Sequence, residues 1–145
     1  SAGSLPNTMV VRAARSYGLE VICRLRAWGS FVKRYARHIE QGTLLPSLVE
    51  FTIKDDERGD PLVNSEAIAA LGIAPAEAVE HMADAARRIT ALIAADLAPR
   101  GLELIDIKYE FGEVDGSTVL IDEVSGDSMR VAMRAKTPSI GRTTQ

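Results

Sequence analysis

The sequence predicts an α+β fold in which an antiparallel sheet is backed by one long helix. Three observations carry that expectation. Residues 19–26, 49–54 and 105–111 alternate apolar and polar side chains, the period of a half-buried strand. Residues 101–130 contain two such strands joined by a short loop at Asp115-Gly116, and a hairpin of this kind pairs antiparallel. Residues 75–99 instead repeat their apolar positions at helical spacing over a length no other segment matches.

Taken in order, residues 9–15 and 19–26 read as two strands joined at Ser16-Tyr17-Gly18. Leu19, Val21, Cys23 and Leu25 alternate with Glu20, Ile22, Arg24 and Arg26, so Arg24 and Arg26 share a face. Trp28-Gly29-Ser30 ends this strand, and Ser30 is placed as the N-cap of a short helix over 31–39, where Phe31, Tyr35 and Ile39 recur. A Gly-Ser helix start beside Arg24 is an anion site in one reading and a solvated helix end in the other. Residues 41–47 read as loop and 49–54 as strand, with Val49, Phe51 and Ile53 inward and Glu50, Thr52 and Lys54 outward. The polar loop that follows, Lys54-Asp55-Asp56-Glu57-Arg58-Gly59-Asp60-Pro61, stands where a rigid strand presents a loop, the usual place for binding residues. Asn64 or Ser65 caps a short helix ending at Leu71, and Gly72 stops it. Pro75 opens the longest helix, which carries an apolar stripe of Val79, Met82, Ala86, Ile89, Ile93 and Leu97. His81 is read as a surface residue of this helix, and no second His stands at ligand spacing.

In the hairpin, Ile105, Ile107, Tyr109 and Phe111 occupy one face and Asp106, Lys108 and Glu110 the other. A two-residue turn at Asp115-Gly116 places Asp122 opposite Tyr109, on the aromatic face. A three-residue loop, Asp115-Gly116-Ser117, pairs Glu110 with Asp122 and gathers Val119 and Ile121 with the aromatics, and this register is the expected one. Two carboxylates set opposite each other repel unless a cation lies between them, and such an oxygen pair suits Mg²⁺ shared with phosphate. Two readings stand at this point, a metal-nucleotide cradle or two solvated acids on an exposed sheet face. Beyond Arg130 the pattern fades, so residues 132–145 read as a tail that ends in mobile residues, and residues 1–8 as a tag-like or flexible start ahead of a domain at 9–131.

At 145 residues the chain suits one domain. A net charge of -3 and a pI near 5.4 argue against a general nucleic-acid binder. The charge is uneven: residues 9–37 hold seven basic side chains against Glu20, and residues 103–127 hold eight acids against Lys108. Such halves could hold a phosphorylated substrate beside a metal-nucleotide, or be two differently charged solvated surfaces. The single Cys23 excludes an intramolecular disulfide and lies in the apolar alternation. No apolar run approaches the ~20 residues of a membrane span, and no secretory signal is visible, so the expected location is the cytoplasm, away from membranes.

Four ordered blocks are together more specific than any of these patterns. They are Glu20-Val21-Ile22-Cys23-Arg24 with Gly29-Ser30-Phe31-Val32-Lys33-Arg34-Tyr35; Lys54-Asp55-Asp56 with Gly59-Asp60-Pro61-Leu62-Val63-Asn64; Asp106-Ile107-Lys108-Tyr109-Glu110-Phe111-Gly112; and Asp122-Glu123-Val124-Ser125 with Asp127 and Arg130. In order and near-spacing this set resembles phosphoribosylaminoimidazole-succinocarboxamide synthase, or SAICAR synthetase, over about residues 9–130. The glycine-rich, lysine-bearing lobe with which that family usually begins is not among the matched blocks, and the residues after Arg130 depart from its usual helical segment.

The resemblance implies a purine-biosynthesis ligase that uses ATP and Mg²⁺ to join L-aspartate to carboxyaminoimidazole ribonucleotide through an acyl phosphate. It implies that Glu110 and Asp122 hold Mg²⁺ and the ATP phosphates, with Lys108 as an ion-pair partner behind them. Arg24, Ser30 and Arg130 would bind the ribonucleotide phosphate. Lys54 would neutralise the transferring phosphate, and Asp56 and Asp60 would shape the nucleotide and substrate loop. The same chemistry on another azole carboxylate nucleotide and a nucleotide-binding module without catalysis are the two rival expectations, and a homo-oligomer is left open.

Overall fold

The computed structural model describes residues 13–122, 124 and 126–134. The expected flexible start at 1–8, the first strand positions 9–12 and the tail from 135 onward lie outside the described residues. Six strands and three helices follow in the order β1 (Arg15–Arg26), α1 (Ser30–Tyr35), β2 (Leu44–Ile53), β3 (Leu62–Val63), α2 (Ser65–Ala70), α3 (Ala76–Leu97), β4 (Leu102–Val114), β5 (Ser117–Ile121) and β6 (Met129–Met133). The sheet runs β3-β2-β1-β4-β5 with β6 also on β4, and the pairings are antiparallel. This is the expected α+β architecture.

One face of the sheet is the core. Leu19, Val21 and Cys23 of β1, Phe51 of β2, and Leu104, Ile107, Tyr109 and Phe111 of β4 pack against Val79, Met82 and Ala86 of α3. Burial of these apolar surfaces, each side chain contributing roughly 1.5–3 kcal/mol, holds the long helix across the sheet. Thr90 adds a polar clamp inside this layer, its hydroxyl 2.7 Å from the Tyr109 hydroxyl. Burial pushes the Tyr109 phenol up to about 12, so it stays protonated as a hydrogen-bonding group. His81 is exposed on α3, as its place in the helical period predicts. No described helix is long and apolar enough to cross a membrane.

Five local expectations are corrected. The break expected at Ser16-Tyr17-Gly18 lies inside a single strand, β1, which starts at Arg15 and whose register against β4 shifts between Ser16 and Glu20. The apparent turn is a bulge, which bends a strand without ending it. Ser30 is not the N-cap of α1; Gly29 takes that position without a side-chain bond, and α1 stops at Tyr35 instead of Ile39. The Ser30 hydroxyl is engaged by Arg24 instead, Nη2 donating to Oγ at 3.1 Å. β2 starts at Leu44, inside the expected loop, because Arg26 of β1 pairs with Leu44 across a register shift. By contrast the Asn64 cap is where local chemistry puts it, with Oδ1 accepting from the Ala67 amide at 2.8 Å.

The hairpin register is the fourth correction. Val114 pairs with Ser117 and Glu110 with Ile121, so the turn has two residues. Asp115 and Gly116 have φ of 49° and 80°, the left-handed pair that a tight two-residue hairpin requires. Val119 and Ile121 therefore lie opposite Gly112 and Glu110, away from the aromatic face. Ile105 is buried but stands outside the core cluster, where Leu104 takes its place beside a register shift between Leu104 and Asp106. The fifth correction is β6: the chain continues as a paired strand to Met133, and the Arg134 amide donates to the Gly101 carbonyl at 2.8 Å.

β5 and β6 share one edge of β4. β5 covers β4 from Glu110 to Val114 and β6 covers it from Leu102 to Ile107. Lys108 falls between the two pairings, and among the described residues Asp122, Val124 and Ser128 line a cleft with it.

Candidate functional site

Strand register assembles the polar face. Glu20, Ile22 and Arg24 of β1 stand opposite Glu110, Lys108 and Asp106 of β4, and opposite Thr52, Glu50 and Leu48 of β2. Paired residues point to the same side of a sheet, so alternation along three strands lays a band of charges over the face away from α3. Two clefts are cut into that band. One, of about 130 Å³, is lined by Glu20, Lys54, Lys108, Glu110, Asp122 and Ser128 among others. The second, of about 170 Å³, is lined by Arg24, Ser30, Asp106, Lys108, Ser128 and Arg130 among others. They share Lys108 and Ser128 and are therefore neighbours.

The first cleft is acidic with two lysines. Glu20 and Glu110 face each other across β1 and β4, a repulsive pairing that each offsets with a lysine. Lys108 Nζ lies 3.1 Å from Glu20 Oε2, and Lys54 Nζ lies 3.1 Å from Glu110 Oε2. Ser16 donates from Oγ to the other Glu110 oxygen at 2.8 Å. The hydrogen bond to Glu110 and its charge raise the Lys54 pKa, so this ammonium stays charged. Asp122 reaches the cleft differently from the expected strand pairing. It follows the last residue of β5 with φ of 68°, a left-handed residue beyond the strand pairing, and lines the cleft from there.

The second cleft is built around a buried guanidinium. Arg24 is 3% exposed and is held by four acceptors. Nε donates to Glu50 Oε2 at 2.9 Å, Nη1 to Asp106 Oδ2 at 3.1 Å and to the Trp28 carbonyl at 3.3 Å, and Nη2 to Ser30 Oγ at 3.1 Å. Arg130 stands outside this centre, half exposed, with Nη1 3.5 Å from Asp106 Oδ2. Burial raises the Asp106 pKa, against the lowering by Arg130 and Arg24. Because Arg24 already occupies one acceptor position of Ser30, the hydroxyl proton is turned to donate elsewhere.

The structure thus brings Lys54, Lys108, Glu110 and Asp122 to one cleft and Arg24, Ser30 and Arg130 to the other. Asp56 and Asp60 line neither. Asp56 is exposed in a short 3-10 turn at Asp56–Arg58, and Asp60 accepts from the Asp55 amide at 2.8 Å, closing the loop beside Lys54. Sequence reasoning gave no site role to Glu20, Glu50, Asp106 or Ser128. Glu20 was recoverable: it shares the Arg24 face two strand repeats away, and alternation alone sets it there.

Comparison with known proteins bears on this constellation. The SAICAR synthetase family model matches residues 3–144. The chain belongs to the SAICAR synthetase family. It is 43% identical over 127 residues to the phosphoribosylaminoimidazole-succinocarboxamide synthase of Clostridium tetani, which covers 85% of this chain and 56% of that protein. It is 44% identical over 133 residues to the synthase of Thermotoga maritima, covering 90% of this chain and 57% of that protein. A SAICAR synthetase solved by structural genomics superposes with a TM-score of 0.82 at 43% identity, over 88% of this chain and 60% of that one. A SAICAR synthetase in complex with ADP superposes with a TM-score of 0.77 at 33% identity, over 83% of this chain and 52% of that one. The chain thus spans a little over half the length of these curated relatives.

Proposed function

We propose that this chain forms the substrate-holding part of a cytoplasmic ATP-dependent ligase that joins L-aspartate to the carboxylate of carboxyaminoimidazole ribonucleotide. The observation that carries this reading is the adjacency of the two clefts, an acid-lysine cleft beside an arginine-serine cleft, with Lys108 and Ser128 on both. A nucleoside triphosphate and a phosphorylated co-substrate need such neighbouring sites if one is to phosphorylate the other. The family supports the reaction class, and the relative solved with ADP supports nucleotide as its co-substrate.

The donor set suits Mg²⁺. Among the described residues no three His, Cys, Asp or Glu side chains form a metal cage. A cation held by one or two carboxylates and completed by phosphate oxygens is the Mg²⁺ pattern. Glu110 and Asp122, both lining the first cleft, would hold it. When bound, the ion would neutralise phosphate charge. Lys54 would move from Glu110 to the transferring phosphoryl group, and Lys108 would remain with Glu20 at the border of the clefts. Arg130 and the Ser30 hydroxyl would hold the ribonucleotide phosphate, with Arg24 fixing Ser30. Asp56 and Asp60 would keep the loop after Lys54 in shape.

In the proposed chemistry a carboxylate oxygen of the ribonucleotide attacks the γ-phosphorus and ADP leaves. The aspartate amine then attacks the acyl carbon, loses a proton, and phosphate departs as the amide forms. The residues contribute positioning and charge stabilisation.

Titration of the chain with ATP-Mg and the ribonucleotide, followed by assay of ADP release on adding aspartate, tests this reading. Binding without ADP release would make the chain a binding module, and release only with another azole carboxylate nucleotide would reassign the ring. Two variants test the site assignments. Asp122→Asn is expected to weaken Mg²⁺-dependent ATP binding about tenfold while leaving the fold nearly intact, because asparagine tolerates the left-handed turn. Unchanged ATP affinity would sink the metal role. Arg130→Ala is expected to weaken the ribonucleotide about tenfold more than its unphosphorylated nucleoside. Equal losses would refute the phosphate role.

A further inference from the structure

The buried carboxylate of Glu50 lies in neither cleft, yet it touches the group on which the second cleft is built. Glu50 is 9% exposed. Oε2 accepts from Arg24 Nε at 2.9 Å, and Oε1 accepts from Arg34 Nη2. The charges then alternate from the surface inward and out again: Arg34, Glu50, Arg24, Asp106, Arg130. Arg34 is itself held on α1, its guanidinium 5.2 Å from the Tyr35 ring centroid and 6.0 Å from that of Phe31. Arg24 lies 5.5 Å from the same Phe31 ring, so Glu50 bridges two cations that flank one aromatic side chain.

We propose that Glu50 is a positioning residue for the phosphate cleft, fixing the guanidinium plane of Arg24 and through it the Ser30 hydroxyl, with Arg34 as its outer anchor. The inference rests on the phosphate reading of the second cleft. The geometry gives Glu50 this role because it takes the Nε donor of Arg24, while Nη1 and Nη2 reach Asp106 and Ser30, which line the cleft. Holding Nε sets the rotation of the guanidinium, and the rotation sets where Nη2 delivers its proton. Without that bond, Arg24 retains Asp106 and Trp28 on Nη1 and can swing Nη2 off Ser30. The hydroxyl then loses the partner that orients it.

Charge and position predict opposite signs here, which makes the inference testable. If Glu50 were only a nearby negative charge, Glu50→Gln would strengthen phosphate binding by removing a repulsion. As a positioning residue it does the reverse, because glutamine offers one acceptor oxygen to two arginines and turns an N–H donor toward the other guanidinium. Glu50→Gln is expected to lower the affinity of the full chain for the ribonucleotide about tenfold, with little change for the unphosphorylated nucleoside. Arg34→Ala removes the outer anchor from a partly exposed position and is expected to give a smaller loss of the same kind, about threefold. That second variant keeps the test available if Glu50→Gln does not fold. Both affinities are read by calorimetry beside a thermal melt, because a purely structural role would lower the melt and leave the ratio of the two affinities unchanged. An unchanged or raised ratio in a folded variant overturns the positioning role while wild-type binding still supports the cleft assignment. A wild-type chain that binds ribonucleotide and nucleoside equally overturns the phosphate reading itself, and this inference with it.

Discussion

Replacing Arg24 with methionine is expected to reduce folding stability by about 3–5 kcal/mol, measured by urea unfolding. Methionine retains much of the volume, so packing is not the main loss. The loss comes from Glu50 and Asp106, which are 9% and 7% exposed and would face each other without the guanidinium between them. Removing one member of a buried charge network costs far more than the network contributes, because the remaining charges stay desolvated. A triple replacement of Arg24, Glu50 and Asp106 by apolar residues of similar size is therefore expected to recover most of the stability. Lysine at position 24 is not expected to substitute, since an ammonium cannot span four acceptors arranged around a planar fork. The single variant also carries a pH signature. Burial already raises the Asp106 pKa, and loss of Arg24 removes one of the charges that opposes the rise. A carboxyl with a folded pKa above its unfolded value binds more protons in the folded state, so its stability deficit shrinks as pH falls toward that folded pKa. A loss under about 1 kcal/mol that does not change with pH would show the two carboxylates to be hydrated in the variant.

Much of the fold was legible from local signals. The 22-residue α3, the Asn64 cap and the alternation of β1 and β4 each follow from side chains within a few positions of one another. β6 was not legible, because Met129 to Met133 shows no clean alternation and is a strand only through its pairing with β4. The hairpin shows why face segregation alone misleads. Asp115-Gly116 carries the local chemistry of a two-residue turn, whereas gathering Val119 and Ile121 with the aromatics favours the longer loop. The chain keeps the tight turn and places Asp122 in the cleft by a left-handed residue after β5, a backbone choice that no side-chain period records. The Arg24 cluster was half legible. Arg24 and Ser30 stand six residues apart, but Glu50 and Asp106 join them only through the order of strands in the sheet.

Substituting alanine for Gly29 separates backbone strain from ligand geometry. Gly29 has φ 59° and ψ -128°, a conformation open to glycine and strained for any side chain, at a cost of about 1–3 kcal/mol. A β-carbon there would also lie 2.3 Å from Nη1 and 2.7 Å from Nη2 of Arg130. The end of an arginine side chain moves easily, so this clash adds little to the stability loss. Its effect is on position, because the guanidinium must leave the place from which it faces Asp106 and the cleft. The variant is therefore expected to melt several degrees lower and to lose about tenfold of the ribonucleotide affinity, with less change for the nucleoside. The double variant with Arg130→Ala decides between the two effects. With no guanidinium to displace, alanine at position 29 should keep its full stability cost but add no further loss of affinity, a non-additivity expected for groups acting through one contact. A second, additive loss of affinity would mean that the Gly29 backbone approaches the ligand itself, and that its missing side chain makes room for phosphate as well as for Arg130.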